Sequence, residues 1–186
     1  MSQIDSLVIS RNKISGTLPA SYDSFTQATY LDLNNNGISG TLPASWANME
    51  HMAELLLSSN RISGTMPGSW GGMAEMNDLE IFNNRLSGVL PKSFGNMLQM
   101  QTLDLHDNTL SGTLPETYCK ISQMLEVLLH TNRITGTLPD AYAQWTTLQT
   151  LDFSSNGLVG TLPPNLGNSS SPTSTLSLRN NRYYTC

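Results

Sequence analysis

Asn12, Asn36, Asn60, Asn84, Asn108, Asn132 and Asn156 recur at a strict 24-residue interval, and Asn181 follows after 25. Gly16, Gly40, Gly64, Gly88, Gly112, Gly136 and Gly160 keep the same step, as do Pro19, Pro43, Pro67, Pro91, Pro115, Pro139 and Pro163. Around these marks one segment is respelled: "NGISGTLPASW" from Asn36, "NRISGTMPGSW" from Asn60, "NRLSGVLPKSF" from Asn84. A unit of this size cannot bury its own apolar side chains. It can do so only by stacking on its neighbours, so the repeat dictates an array rather than a centred core.

The apolar columns say how one coil runs. Leu31, Leu55, Leu79, Leu103, Val127 and Leu151 stand five residues before the Asn, and Leu33, Leu57, Ile81, Leu105, Leu129 and Phe153 stand three before it. That alternation predicts a short strand with one face buried. Pro then fixes φ and ends strand pairing. Three residues past it comes Tyr22, Trp46, Trp70, Phe94, Tyr118 or Tyr142, with Leu166 last. Further steps of three reach Met49, Met73 and Met97, then Met52, Met76, Met100 and Met124. The i, i+3 rhythm predicts a 3₁₀-like outer segment, and the Met stripe lies on its packing side as core filling. Turn and outer return path together are scaffold.

The chain must turn after each strand, and its turn leaves backbone groups to satisfy. Asn carries both a donor and an acceptor, so Asn12, Asn36, Asn60, Asn84, Asn108, Asn132, Asn156 and Asn181 are expected to form a buried structural ladder along the stack. The extra residue before Asn181 falls in "NLGNSSSPTSTL", which reads as a loop and carries the one candidate glycosylation site, Asn168.

The pattern L-x-L-x-x-N-x-[IL]-[ST]-G-[TV]-[LM]-P covers essentially the whole chain. It resembles the leucine-rich repeats, and within them the plant-type subclass. The wording "SGTLPASW", with Trp and Met in the outer segment, is most similar to the promastigote surface antigen family of trypanosomatid (Leishmania-type) parasites. The expected fold is therefore an α/β leucine-rich repeat solenoid, a horseshoe or right-handed superhelix. It has 24-residue repeats, a parallel concave sheet of about eight short strands, and 3₁₀ or irregular outer segments. Residues 1–186 read as a single domain of about eight coils. Without a signal peptide, anchor signal or terminal caps they read as a fragment of a longer protein. The resemblance implies an extracellular or cell-surface ectodomain with a protein or glycan ligand, contact with host molecules and a lipid anchor in the parent protein. Secreted relatives often close the array with a Cys-stapled cap, which would give Cys186 a partner beyond this chain. Cys119 and Cys186 lie three coils apart, about 14 Å at the usual strand spacing, too far for a disulfide. Cys119 reads as a small, partly buried side chain.

Composition removes other classes. Nine Lys and Arg against fourteen Asp and Glu leave a net charge of −5, which argues against nucleic acid as a partner. No apolar run approaches the roughly 18 residues of a membrane span. No activated nucleophile or phosphate-cradling Gly loop is present, and a strand face offers no water-excluded pocket, so an enzyme is not expected and no cofactor is implied.

Function is expected on the concave face, where side chains between the buried columns escape the repeat. Acids gather there: Asp32, Glu54, Asp78, Glu80, Asp104, Asp107, Glu126 and Asp152, with Tyr30 beside them. They suit a basic partner. One residue past the Asn runs a basic ridge, Lys13, Arg61, Arg85, Arg133 and Arg182, and the plainer reading pairs the two sets across coils as solvated edges. The least repeat-like place is Phe82, His106 and His130 in one column, flanked by Glu80, Asp104 and Leu128. An aromatic beside polar groups is a usual interface anchor. The two His, about 5 Å apart by strand spacing, raise the thought of a metal or pH-sensitive patch, but flat strand faces converge ligands poorly and no metal is expected. The leading expectation is a recognition module. The alternatives are a structural spacer of a surface coat and an ectodomain fragment of a plant-type receptor. Unpaired strand edges at the two ends would also allow end-to-end self-association.

Overall fold

The computed structural model describes residues 4–166 and 175–182; Asn168 and Cys186 lie outside them. Each coil opens with a three-residue strand: Ser6–Val8, Tyr30–Asp32, Glu54–Leu56, Asp78–Glu80, Thr102–Asp104, Glu126–Leu128, Thr150–Asp152 and Thr175–Ser177. They pair in chain order as one eight-stranded parallel sheet. Leu31 stands opposite Leu55, Leu55 opposite Leu79, and Leu79 opposite Leu103. The register thus equals the repeat, and a slip of one residue would throw the whole Leu column into solvent.

The return path is more ordered than its sequence suggests. The segment read as turn forms a second set of parallel strands. Ser15–Thr17, Gly37–Thr41, Arg61–Gly64 and Arg85–Leu86 make one sheet, and Ser111–Thr113, Arg133–Gly136 and Gly157–Leu158 another. An isolated bridge from Val89 to Ser111 links the two. Side chains extend the ladder: the Ser63 and Ser87 hydroxyls donate to Gly40 O and Gly64 O, at 3.2 and 3.3 Å. Gly64 shows why this column admits no side chain. Its φ is +80°, and a Cβ would stand 2.9 Å from Thr41 Cγ2 of the coil before. That sheet escaped the sequence reading because two Ser/Thr–Gly positions without apolar alternation carry no strand periodicity.

After the Pro come five-residue 3₁₀ helices, Ala20–Ser24, Ala44–Asn48, Gly68–Gly72, Lys92–Asn96, Glu116–Lys120 and Asp140–Gln144. Among the described residues these are the helical component. Their aromatic residues point inward with polar tips satisfied. Trp46 and Trp70 Nε1 donate to Pro19 O and Pro43 O, at 2.9 and 3.0 Å, and the Tyr118 and Tyr142 hydroxyls donate to Pro91 O and Pro115 O, at 3.2 and 2.9 Å. Four coils are thereby tied to the ones before them. Met49, Met52, Met73, Met76, Met97, Met100 and Met124 are wholly buried between sheet and outer segments.

The Asn side chains knit the turns. Asn60 Nδ2 donates to Leu57 O and Ser58 O of its own coil and to Leu33 O of the preceding one, while its Oδ1 accepts the Ile38 N–H. The same set recurs at Asn36, Asn84, Asn108, Asn132 and Asn156. Burial is shallower than expected. Asn108 is buried, Asn36, Asn60, Asn84, Asn132, Asn156 and Asn181 are half-buried, and Asn12 is exposed. The carbonyls they serve lie at the rim of the sheet, not in the interior.

Candidate functional site

The turn that carries the Asn also presents the candidate site. The residue just before each Asn is left-handed in every coil, and only non-glycine residues stand there: Arg11, Asn35, Ser59, Asn83, Asp107, Thr131, Ser155 and Asn180, with φ from 51° to 57°. The residue before that, where Phe82, His106 and His130 stand, is thereby held at the lip of the concave sheet. The three rings form one stack. Phe82 and His106 centroids lie 4.4 Å apart with planes 9° from parallel, and His106 and His130 centroids 4.3 Å apart at 22°. All three side chains are half-buried.

Asp104 organises this stack. Its Oδ1 accepts the His106 backbone N–H at 3.2 Å and meets His106 Nδ1 at 2.5 Å. Asp107 Oδ2 lies 3.8 Å from His106 Nε2 on the exposed side. The expectation that the acids of this face all point to solvent fails at Asp104, which is 7% exposed. A short Asp here folds back to cap its own turn, as Asp32 and Asp152 do for the N–H groups of Asn34 and Ser154, at 3.0 and 2.8 Å. These three carboxylates are partly spent on structure.

Where the coil has Leu56 or Glu80 at that position, the preceding coil supplies the acceptor. Asn34 Oδ1 accepts the Ser58 N–H, and Ser58 Oγ accepts the Phe82 N–H at 3.1 Å. Ser58 is accordingly buried and is the site residue that the sequence reading missed. The signal was there in these two coils: Leu56 and Glu80 stand where Asp would cap, and the coil before each carries a short polar side chain, Asn34 or Ser58, two before its own Asn.

Glu80 has a different character. It stands opposite Asp104 in one neighbouring strand and Leu56 in the other, while Glu54 stands opposite Asp78. Burial first, then the negative charge of Asp104, Asp78, Asp32 and Glu126, holds the Glu80 carboxyl above its ordinary value. Asp104 is likewise raised by burial, which outweighs the opposing hydrogen bonds and charge of His106. The Tyr30 hydroxyl is raised by burial and then by Asp32, Glu54 and Glu80. Glu54, Asp78, Glu126, Asp152 and Leu128 are half-buried along the same face.

The basic ridge does not neutralise this field. Among the described residues, the ion pairs within 4.0 Å are His51–Glu75, His106–Asp104 and His106–Asp107. Among the described residues, Lys and Arg therefore do not pair across coils; the residues of the column one past the Asn, Lys13, Arg61, Arg85, Arg133 and Arg182, are exposed. Nor do three or more His, Cys, Asp or Glu side chains converge as metal ligands among the described residues. The arrangement is a shallow aromatic ladder bordered by carboxylates, a surface suited to contact.

Profiles described as leucine-rich repeats match residues 26–86, and residues 76–97, 99–121 and 147–169. The chain is a leucine-rich repeat protein. No curated protein sequence is significantly similar to it. Among solved structures, PEPR1–AtPEP1 superposes with a TM-score of 0.90 at 31% identity, over 96% of this chain and 25% of that one. The Arabidopsis receptor kinase HAESA, in complex with the peptide hormone IDA and the co-receptor SERK1, gives 0.90 to within 0.01 (TM-score 0.89) at 30% identity, over 95% and 34%. This leucine-rich repeat chain thus spans about a quarter to a third of the length of those two chains. A plant ice-binding protein shares the fold, with a TM-score of 0.80 at 23% identity over 97% and 58%. No helix among the described residues is long and apolar enough to cross a membrane.

Proposed function

We propose that this leucine-rich repeat array is a non-enzymatic recognition module of an extracellular or cell-surface protein, and that it takes a protein or glycan partner on the concave face. The observation that carries the reading is the Phe82–His106–His130 stack, held by Ser58 and Asp104 and bordered by the carboxyl of Glu80, which is outside the ion pairs found among the described residues. Rings already held in place lose little entropy on binding, which is what an anchor needs. The acidic field favours a partner segment bearing Arg or Lys. HAESA, similar over most of this chain, is a receptor for a peptide hormone, which supports an extended peptide as the partner's form. The wording of the outer segment adds the resemblance to trypanosomatid surface antigens, in which the partner would be a host molecule. On either reading residues 1–186 act as one module of a larger surface protein.

The test is capture of partners from host or cell-surface extracellular material by the folded protein and by the triple variant Phe82→Ala, His106→Ala, His130→Ala. Partners held by the wild type and lost by the variant are the expected result. Equal capture by both would remove the concave patch from the account. Capture of nothing by either, from material active in other assays, would favour a spacer that presents neighbouring domains and binds nothing itself.

A further inference from the structure

The ridge that the concave reading leaves unused is the second place where charge is concentrated. Lys13, Arg61, Arg85, Arg133 and Arg182 occupy the same position in five coils, and all five are exposed. Arg61, Arg85 and Arg133 open the second-face strands Arg61–Gly64, Arg85–Leu86 and Arg133–Gly136. Their backbone is therefore fixed; the Arg133 and Arg182 N–H groups donate to Leu110 O and Leu158 O, at 2.7 and 2.9 Å. One strand per coil sets their spacing at about 4.8 Å between Arg61 and Arg85 and about 10 Å at each of the other steps, some 34 Å in all. The file is single and, among the described residues, free of carboxylate partners within 4.0 Å. It skips the coils of Gly37, Thr109 and Gly157, and at Thr109 the carboxylate of Asp107 stands nearby in sequence.

We propose that this edge binds a linear sulfated polysaccharide, laid along the array with its anionic groups over successive basic side chains. Uncompensated like charges held one or two coils apart repel one another, and a polyanion relieves that repulsion while releasing its own counterions. A line of single side chains matches a stiff linear chain, whereas a bilayer would need a basic plane. An anionic bilayer brought up to this edge would also meet the Glu54, Asp78, Glu80 and Glu126 face. Duplex nucleic acid is disfavoured by the same face and by the net charge of −5. The Phe82, His106 and His130 column lies between ridge and carboxylates, so the two sites are separable.

Binding of a defined heparin oligosaccharide is measured against salt for the wild type and for Arg61→Ala, Arg85→Ala, Arg133→Ala. The expected result is binding that weakens with salt, a loss of about tenfold or more in the variant, and a shallower salt dependence. Lys92→Ala with Lys120→Ala, on the outer segments, and the concave triple variant should both bind as the wild type does. Failure of the concave reading would thus leave this result intact, and the reverse. Because the three Arg are exposed, the variant should melt with the wild type, and its thermal midpoint is measured alongside. No binding by the wild type overturns the proposal, as does equal binding by the ridge variant. It is also overturned by equal affinity for the unsulfated polysaccharide, phosphatidylserine vesicles or duplex DNA.

Discussion

Glu80 is the residue at which the chain gives up stability for an unpaired charge. Its carboxyl is raised by burial and by surrounding acids, so the folded state holds the proton more tightly than the unfolded chain. The stability associated with that proton is fully present below the ordinary glutamate value of 4.5 and is lost as pH rises through the higher folded value. Glu80→Gln is therefore expected to raise the thermal midpoint at neutral pH, with the gain vanishing near pH 4. Melting both proteins across that range checks it; a gain independent of pH would remove the charge from the explanation. Thr131 is a second cost at this scale. A β-branched residue at φ 55° is strained, and Asn35, Asn83 and Asn180 show what suits the position. Thr131→Asn should stabilise by about 0.5–1 kcal/mol, read from denaturant midpoints. Neither cost was visible in the column pattern. The position before the ladder Asn accepts Arg, Asn, Ser, Asp and Thr, so the sequence there looks like a free surface, although its backbone is left-handed in every coil.

Among elements, the outer 3₁₀ segment shows how a repeated aromatic becomes an interlock. Trp46, Trp70, Tyr118 and Tyr142 each donate to the Pro carbonyl of the coil before. Phe94 stands in the same column, wholly buried, with no polar tip to reach Pro67 O. Phe94→Tyr would place a hydroxyl toward Pro67 O, the counterpart of the Pro91 O that Tyr118 reaches at 3.2 Å. A gain of about 0.5–1.5 kcal/mol is expected, measured by chemical denaturation. A loss would mean that the packing around Phe94 has no room for the oxygen. The i, i+3 spacing of these aromatics announced the segment and its inward face. It did not announce the partner carbonyl, because that contact spans 27 residues and depends on how neighbouring coils are offset.

For the whole molecule, stability should follow the stack. Each coil contacts its neighbours, so stability sums local terms and coil-to-coil interfaces. Side chains of the middle coils, such as Trp70, Leu79, Phe94 and Leu103, are wholly buried, while Val8 and Ile14 in the first coil and Leu176 in the last described strand are exposed. Amide exchange should be slowest in Asp78–Glu80 and Thr102–Asp104 and faster in Ser6–Val8 and Thr175–Ser177. Uniform protection measured along the eight strands would mean that the array opens as one unit.

Much of this protein was decided by the sequence alone, because a repeat that cannot bury its own Leu, Met and Trp side chains has stacking as its single outlet. Period, parallel register, inward columns and outer 3₁₀ turns all follow from that requirement. What only the tertiary structure decided is how the remaining polar groups divide. Asp104 folds inward to hold His106, Ser58 props Phe82 from the preceding coil, and Glu80 is outside the ion pairs found among the described residues. Among the described residues, Lys and Arg beside an acidic face make no ion pair within 4.0 Å. Those outcomes hang on ångström-scale offsets between adjacent coils, which the column pattern does not encode.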